Sequence, residues 1–155
     1  MSKIYDIIII GGGTAGMTAA IYGHRAGRSV LVIEKSFLGG QIISTSEIEN
    51  YPGLASATGY DFAGSLQEQL DRFGIEHVSD EVTGLESAPL SSRESGDTGK
   101  GQKKYWRALC LKDVYVGKSI IIATGTESRK LGLEREDEFL GKGVSYCATC
   151  DGLFF

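Results

Sequence analysis

The feature that most constrains this chain is its beginning. Residues 4–10 are nearly all aliphatic, and Gly11, Gly12 and Gly13 break the run. A continuous apolar strand suits a parallel sheet covered on both faces. Gly11-x-Gly13-x-x-Gly16 then opens a predicted helix over residues 14–26. Its small residues Ala15, Gly16, Ala19 and Ala20 allow close packing on a sheet, and Gly27 ends it. A second apolar strand over residues 29–33 runs into Glu34, 23 residues after Gly11. This is one βαβ unit of a doubly wound sheet. Each glycine has a physical task. Gly11 allows the tight turn, Gly13 lets the backbone approach a pyrophosphate, and Gly16 permits close helix–strand contact. The helix start offers unpaired N–H groups and a partial positive charge to phosphates. Glu34 is placed to accept hydrogen bonds from ribose hydroxyls, and its charge disfavours a 2′-phosphate. The pattern predicts a dinucleotide site without separating FAD from NAD.

The rest of the chain fits a compact protein. Its 155 residues suffice for one domain with a core but not for two of ordinary size. Apolar residues at 41% and charged residues at 23% match a soluble globular composition. A net charge of -4 argues against nucleic acid as a partner, since phosphate neutralisation needs a basic surface. The apolar run at residues 7–10 is too short for a membrane span or a signal-peptide core. No membrane partner and a cytoplasmic location are therefore expected.

Residues 35–58 form a long polar connection, the kind of loop that usually carries function. A helix is predicted over residues 60–73, with Phe62, Leu66, Leu70 and Phe73 on one stripe, Thr58 as N-cap and Gly74 as terminator. Residues 75–78 read as a short strand, and residues 81–116 as short antiparallel strands. Ser91 to Lys104 interrupt them as an exposed, mobile hairpin tip. The cluster Lys100, Lys103, Lys104 and Arg107 reads as solvated loop. Residues 119–123 read as a buried aliphatic strand ending at Thr124-Gly125. The remainder is irregular and passes through an acidic patch at residues 134–138.

Of three cysteines, Cys147 and Cys150 form a Cys-x-x-Cys pair. Such spacing suits a disulfide that opens and closes: one thiolate attacks a substrate disulfide and the other resolves the mixed disulfide. Asp151 reads equally as a proton carrier beside the dithiol or as a turn residue before Gly152. Zinc needs four ligands, commonly two such pairs, and neither His24 nor His77 has the spacing to complete a site. No metal is therefore expected. Cys110, in an apolar strand, reads as a small buried hydrophobe. The two histidines read as structural or solvated.

Taken together, these segments resemble the low-molecular-weight thioredoxin reductases. The likeness rests on YDIIIIGGGTAG at residues 5–16, Gly39-Gly40-Gln41, and Glu49-Asn50-Tyr51-Pro52-Gly53. It rests also on Ile121-Ile122-Ala123-Thr124-Gly125 and on Cys147-Ala148-Thr149-Cys150-Asp151-Gly152. The resemblance implies an α/β, Rossmann-like FAD/NAD(P)-binding fold, with a parallel sheet, helices and an antiparallel β-meander in a three-layer ββα arrangement. It implies FAD bound by Gly11, Gly13, Thr14, Ala15, Gly16, Glu34, Lys35, Gly39, Gly40, Gln41, Asn50, Val82, Ala123, Thr124 and Gly125. It implies NADPH as electron donor, Cys150 facing the flavin, Cys147 attacking the disulfide of thioredoxin or a similar small protein, and Asp151 as proton donor. Family members are usually homodimers. Residues 1–129 would be the FAD-binding domain, and 130–155 the start of a truncated NADPH domain. The family's second glycine fingerprint is absent: Gly141-Lys142-Gly143 lacks the third glycine. The expectation is thus a disulfide reductase complete only with a complementing C-terminal half. The rivals are a nucleotide-binding module without autonomous catalysis and a zinc-binding interaction domain.

Overall fold

The computed structural model describes residues 3–89 and 104–147, the side chains of residues 88 and 89 excepted. The chain divides into two compact units, Met1–Gly125 and Thr126–Phe155.

The first unit runs β1 (Ile4–Ile10), α1 (Thr14–Arg25), β2 (Val30–Glu34), α2 (Gly59–Arg72), β3 (Glu76–Ser79), β4 (Val82–Pro89), β5 (Lys104–Cys110) and β6 (Val114–Ile122). The sheet order is β3-β2-β1-β6-β5-β4. The pairs β3/β2, β2/β1 and β1/β6 are parallel, whereas β6/β5 and β5/β4 are antiparallel. This is the expected α/β architecture. The two helices end as glycine dictates: Gly27 and Gly74 take positive φ, with Gly27 N–H donating to the His24 carbonyl at 2.8 Å. Thr58 caps α2, its hydroxyl accepting from the Asp61 N–H at 3.1 Å.

Two apolar cores lie on either face of the parallel strands. Ile9, Met17, Ala20, Val30, Val32 and Leu70 fill the helix side. Ile8, Ile10, Leu31, Ile33 and Ala108 fill the other, with Val78, Val82, Tyr115 and Ile120 against them. The second core follows from a topological constraint. Strands β3 and β4 are the two edges of the sheet order, yet only Asp80 and Glu81 join them. A connection that short brings the edges together only if the sheet curls, which lays the meander β4–β6 over the β1–β2 face. Asp80, 3% exposed, fastens the junction: its Oδ1 accepts from Glu81 N–H at 2.9 Å and Lys112 N–H at 3.2 Å. Its own N–H donates to the Glu34 carbonyl at 3.0 Å. Asp80 Oδ2 and Arg107 Nε are buried with no hydrogen-bond partner among the described residues.

Three expectations change. The segment 119–123 is not a separate buried strand. It is the end of β6, which pairs with β5 through residues 114–117 and with β1 along 116–122. Ile122 is 67% exposed, since the face it occupies beyond Ile120 has no layer over it among the described residues of this unit. Lys104 and Arg107 belong to β5 rather than to a loop. The proposed tip at 91–104 otherwise lies outside the described residues. Cys110 is half-buried and carries a free thiol. Burial, with Asp80 and Asp113 nearby, pushes that thiol up to about 11, so it stays neutral.

At the amino ends of the parallel strands a polar clip forms. Asp6 accepts from the Ser29 N–H at 2.9 Å, the Ser29 hydroxyl at 3.0 Å and Lys118 Nζ at 2.6 Å. Lys118, then the Ser29 groups, hold its carboxyl down at about 2, against a smaller opposing effect of burial. Alongside, Glu76 on β3 takes hydrogen bonds from Lys3 and from the Tyr5 hydroxyl.

Candidate functional site

The glycine turn sits at the carboxyl ends of β1, β2 and β6, where ligands bind in open α/β sheets. The structure separates its glycines into two kinds. Gly11 has φ of 104°, and a Cβ there would lie 2.3 Å from the Ala123 carbonyl oxygen. A Cβ on Gly16 would lie 1.9 Å from the Gly11 carbonyl oxygen. Both are glycine because the fold leaves no room. Gly13 differs: its φ is -73°, and a Cβ there would meet no protein atom closer than 3.9 Å. No contact among the described residues requires glycine at 13, so the backbone there stays open to the close approach of a ligand.

Gly13 is also the N-cap of α1 and supplies no side-chain cap. The first helical bond runs from Met17 N–H to the Gly13 carbonyl at 2.9 Å. The N–H groups of Thr14, Ala15 and Gly16 therefore lie in the first turn, ahead of the helical ladder, as an anion site needs. Beside them Glu34, half-buried at the end of β2, accepts from Gly12 N–H at 2.7 Å through Oε2 and from Ser36 N–H at 2.9 Å through Oε1. Each carboxylate oxygen retains acceptor capacity for a ribose hydroxyl. The loop after β2 returns to the turn: Gly39 N–H donates to the Gly12 carbonyl at 2.8 Å, and a Cβ on Gly40 would lie 3.0 Å from Gly13 Cα. From the other flank, Ala123 N–H donates to the Ile10 carbonyl at 2.8 Å.

The structure thus gathers Gly11, Gly13, Thr14, Ala15, Gly16, Glu34, Gly39, Gly40 and Ala123 around one turn. Thr124 and Gly125 follow directly, and Lys35 and Gln41 stand exposed beside it in sequence. Asn50 stands exposed on the loop 45–58, which Ile48 and a Tyr51–Phe62 ring contact of 5.0 Å hold in place. Val82 opens β4 and packs with the second core. Gly12 escaped sequence reasoning, although it supplies the N–H that orients Glu34; the run of three glycines was the available signal. Gly59 escaped it too: a Cβ there would lie 1.6 Å from the Ile42 carbonyl oxygen, so it fixes where a 3-10 turn at Gly40–Ser44 meets α2.

In the second unit, Cys147 is half-buried and disulfide-bonded, and its N–H donates to Ser145 Oγ at 3.0 Å. Cys150 and Asp151 lie outside the described residues. The two histidines have local partners: His24 stacks on Phe73 at 5.6 Å, and His77 Nε2 lies 3.3 Å from Asp71 Oδ1. No helix among the described residues is long and apolar enough to cross a membrane.

The chain is similar to known proteins over nearly its whole length. Over 153 residues the chain is 43% identical to the thioredoxin reductase of Listeria innocua, covering 99% of this chain and 44% of that protein. The Streptococcus pyogenes thioredoxin reductase structure superposes with a TM-score of 0.77 at 39% identity, over 100% of this chain and 46% of the other. The Lactococcus lactis thioredoxin reductase structure gives 0.74 at 41% identity, over 97% and 45%. The chain thus spans somewhat under half the length of the relatives it matches. Residues 5–155 match the family model described as pyridine nucleotide-disulphide oxidoreductase, and the chain belongs to that family.

Proposed function

We propose that this chain is the FAD-binding and disulfide-bearing part of a flavin-dependent thioredoxin-disulfide reductase. The observation that carries this reading is an open backbone cradle at Gly13 in a chain that also holds a disulfide at Cys147. Gly11, Gly13, Thr14, Ala15 and Gly16 would hold the pyrophosphate, and Glu34 the adenosine ribose, with Lys35 and Val82 beside the adenosine half. Gly39, Gly40, Gln41, Asn50, Ala123, Thr124 and Gly125 would face the remainder. Bound there, FAD supplies two-electron transfer between NADPH and a disulfide. The protein's part is thiol chemistry. With two electrons and two protons the Cys147–Cys150 bond opens to two thiols. Cys147, as thiolate, attacks the partner disulfide, Cys150 resolves the mixed disulfide, and Asp151 supplies the proton to the leaving sulfur. Residues 1–129 serve as the FAD-binding domain, and residues from 130 onward begin the NADPH domain. The expected partner is thioredoxin or a similar small disulfide protein, in a cytoplasmic homodimer or beside a complementing half.

The test is spectroscopic. Purified chain mixed with FAD is expected to bind it, quenching free-flavin fluorescence. Photoreduction of that flavin without oxygen is expected to make Cys147 available to iodoacetamide. A protein that stays colourless and refuses FAD, even when supplied with the remaining length of its longer relatives, overturns the reading. So does a Cys147→Ser variant that keeps full disulfide reductase activity in that complemented form.

A further inference from the structure

Among its described residues, the unit Thr126–Phe155 has little apolar burial. Leu131, Leu133, Phe139 and Leu140 are exposed, and its one buried described side chain is Glu136, 6% exposed. That carboxylate is gripped by three successive backbone N–H groups. Oε1 accepts from Leu131 at 2.9 Å, and Oε2 accepts from Gly132 at 2.7 Å and from Leu133 at 3.1 Å. Burial opposes its charge, but the three N–H donors outweigh it and hold the carboxyl below its ordinary range. Arg135, just before it, has φ of 62°, the one non-glycine residue in the left-handed region among the described residues. Such a backbone persists only where its surroundings over-determine it. Here the Arg135–Glu138 ion pair at 2.6 Å and the Lys130–Asp137 pair at 2.7 Å flank the grip.

Hydrogen bonds lead from that carboxylate toward the disulfide. A 3-10 turn, Glu136–Phe139, follows. The Phe139 carbonyl accepts from Lys142 N–H at 2.8 Å and from Val144 N–H at 3.0 Å, and the Val144 carbonyl accepts from Gly141 N–H at 2.9 Å. The next residue, Ser145, accepts the Cys147 N–H. Among the described residues, where apolar packing is slight, these bonds are the contacts that order the segment.

We propose that Glu136 and Ser145 are positioning residues for the Cys147 disulfide, bracing residues 131–147 in the conformation of the oxidised form. The inference rests on the disulfide-reductase reading and adds residues outside the Cys-x-x-Cys motif. A brace that already holds the segment near this conformation in the dithiol lowers the ordering entropy lost on closing the S–S bond, so removing it favours the dithiol.

The experiment is a thiol–disulfide titration of the full chain against dithiothreitol. The protein S–S bond opens to two thiols as dithiothreitol closes to its cyclic disulfide. Alkylation of Cys147, read by mass spectrometry, reports the position of equilibrium without any flavin. Glu136→Gln is expected to shift it toward the dithiol by about fivefold, the size of a charge-assisted bond made neutral. Ser145→Ala should shift it the same way by about twofold, Ser145→Thr should restore the parent value, and the double variant should fall short of the product of the singles. Both single variants titrating with the parent, or toward the disulfide, would overturn the proposal. Should Glu136→Gln unfold the unit, seen as lost amide protection across 131–147, Ser145→Ala decides alone, since it leaves the carboxylate grip whole. A Cys147 disulfide that dithiothreitol cannot open removes the reductase reading, and this inference with it.

Discussion

The glycine turn of the first unit and the cysteine-bearing segment of the second are held by different physics. Around the turn, β1, β2 and α1 bury Ile8, Ile9, Leu31, Val32 and Met17, and backbone hydrogen bonds are made within regular elements. In residues 126–147 the longest regular element is a four-residue 3-10 turn, and a carboxylate takes the place of an apolar core. The first region draws its stability from removing hydrocarbon from water, which is diffuse and tolerant of conditions. The second depends on a few charge-assisted bonds, which are local and respond to pH.

The largest effect that sharpens this contrast is expected at Gly16. Alanine there would press on the Gly11 carbonyl, and the first unit should lose about 3 kcal/mol, read from urea denaturation. A loss under about 1 kcal/mol would mean the helix–strand contact is looser than described. Gly13→Ala should separate folding from binding. Its new methyl meets only ordinary contacts at 3.9 Å, so the urea midpoint should stay put while FAD affinity drops about tenfold, measured by flavin fluorescence. Equal losses in both would show that Gly13 serves the fold instead. The smallest effect is a difference in acid response. Asp6 and Glu136 are both held below their ordinary values of 3.8 and 4.5. Each therefore contributes stability that is full above that ordinary value and is lost as pH falls through the lowered one. For Asp6 the loss runs from 3.8 down through about 2. The protection factors of the amides at residues 131–133, taken relative to intrinsic exchange at each pH, should fall on acidification while those of β1 and β2 stay high. Simultaneous exposure of both regions would erase the distinction.

The same contrast explains what the sequence disclosed. The βαβ unit was legible because period, glycine spacing and a strand-end acid all point one way. Strand β6 was not: its residues fall in two separate segments, ending at 116 and starting at 119, with Gly117 between them. In the fold Gly117 sits within the strand between Tyr5 and Trp106, and a Cβ there would lie 2.9 Å from Ile8 Cγ1. Glycine here records a close approach of side chain to backbone, and no local signal distinguishes that from a turn. Asp80 and Glu136 were equally silent. One is a lone acid between strands and the other a member of an acidic patch, and only the tertiary structure shows which carboxylate is enclosed. At the candidate site the glycines, Glu34 and the Ala123 flank were readable. The Gly12 donor was not, because its role is to aim another residue.

The parallel pairing of β1 with β6 has a mechanical consequence. Residue 4 begins one strand and residue 122 ends its neighbour, with ladder contacts from Ile4↔Val116 to Ile10↔Ile122. Tension drawn between those two points would slide the strands lengthwise, straining every rung together instead of peeling them one by one. A pull applied at residue 122 against one at residue 4 thus meets this sheet along its stiffest direction.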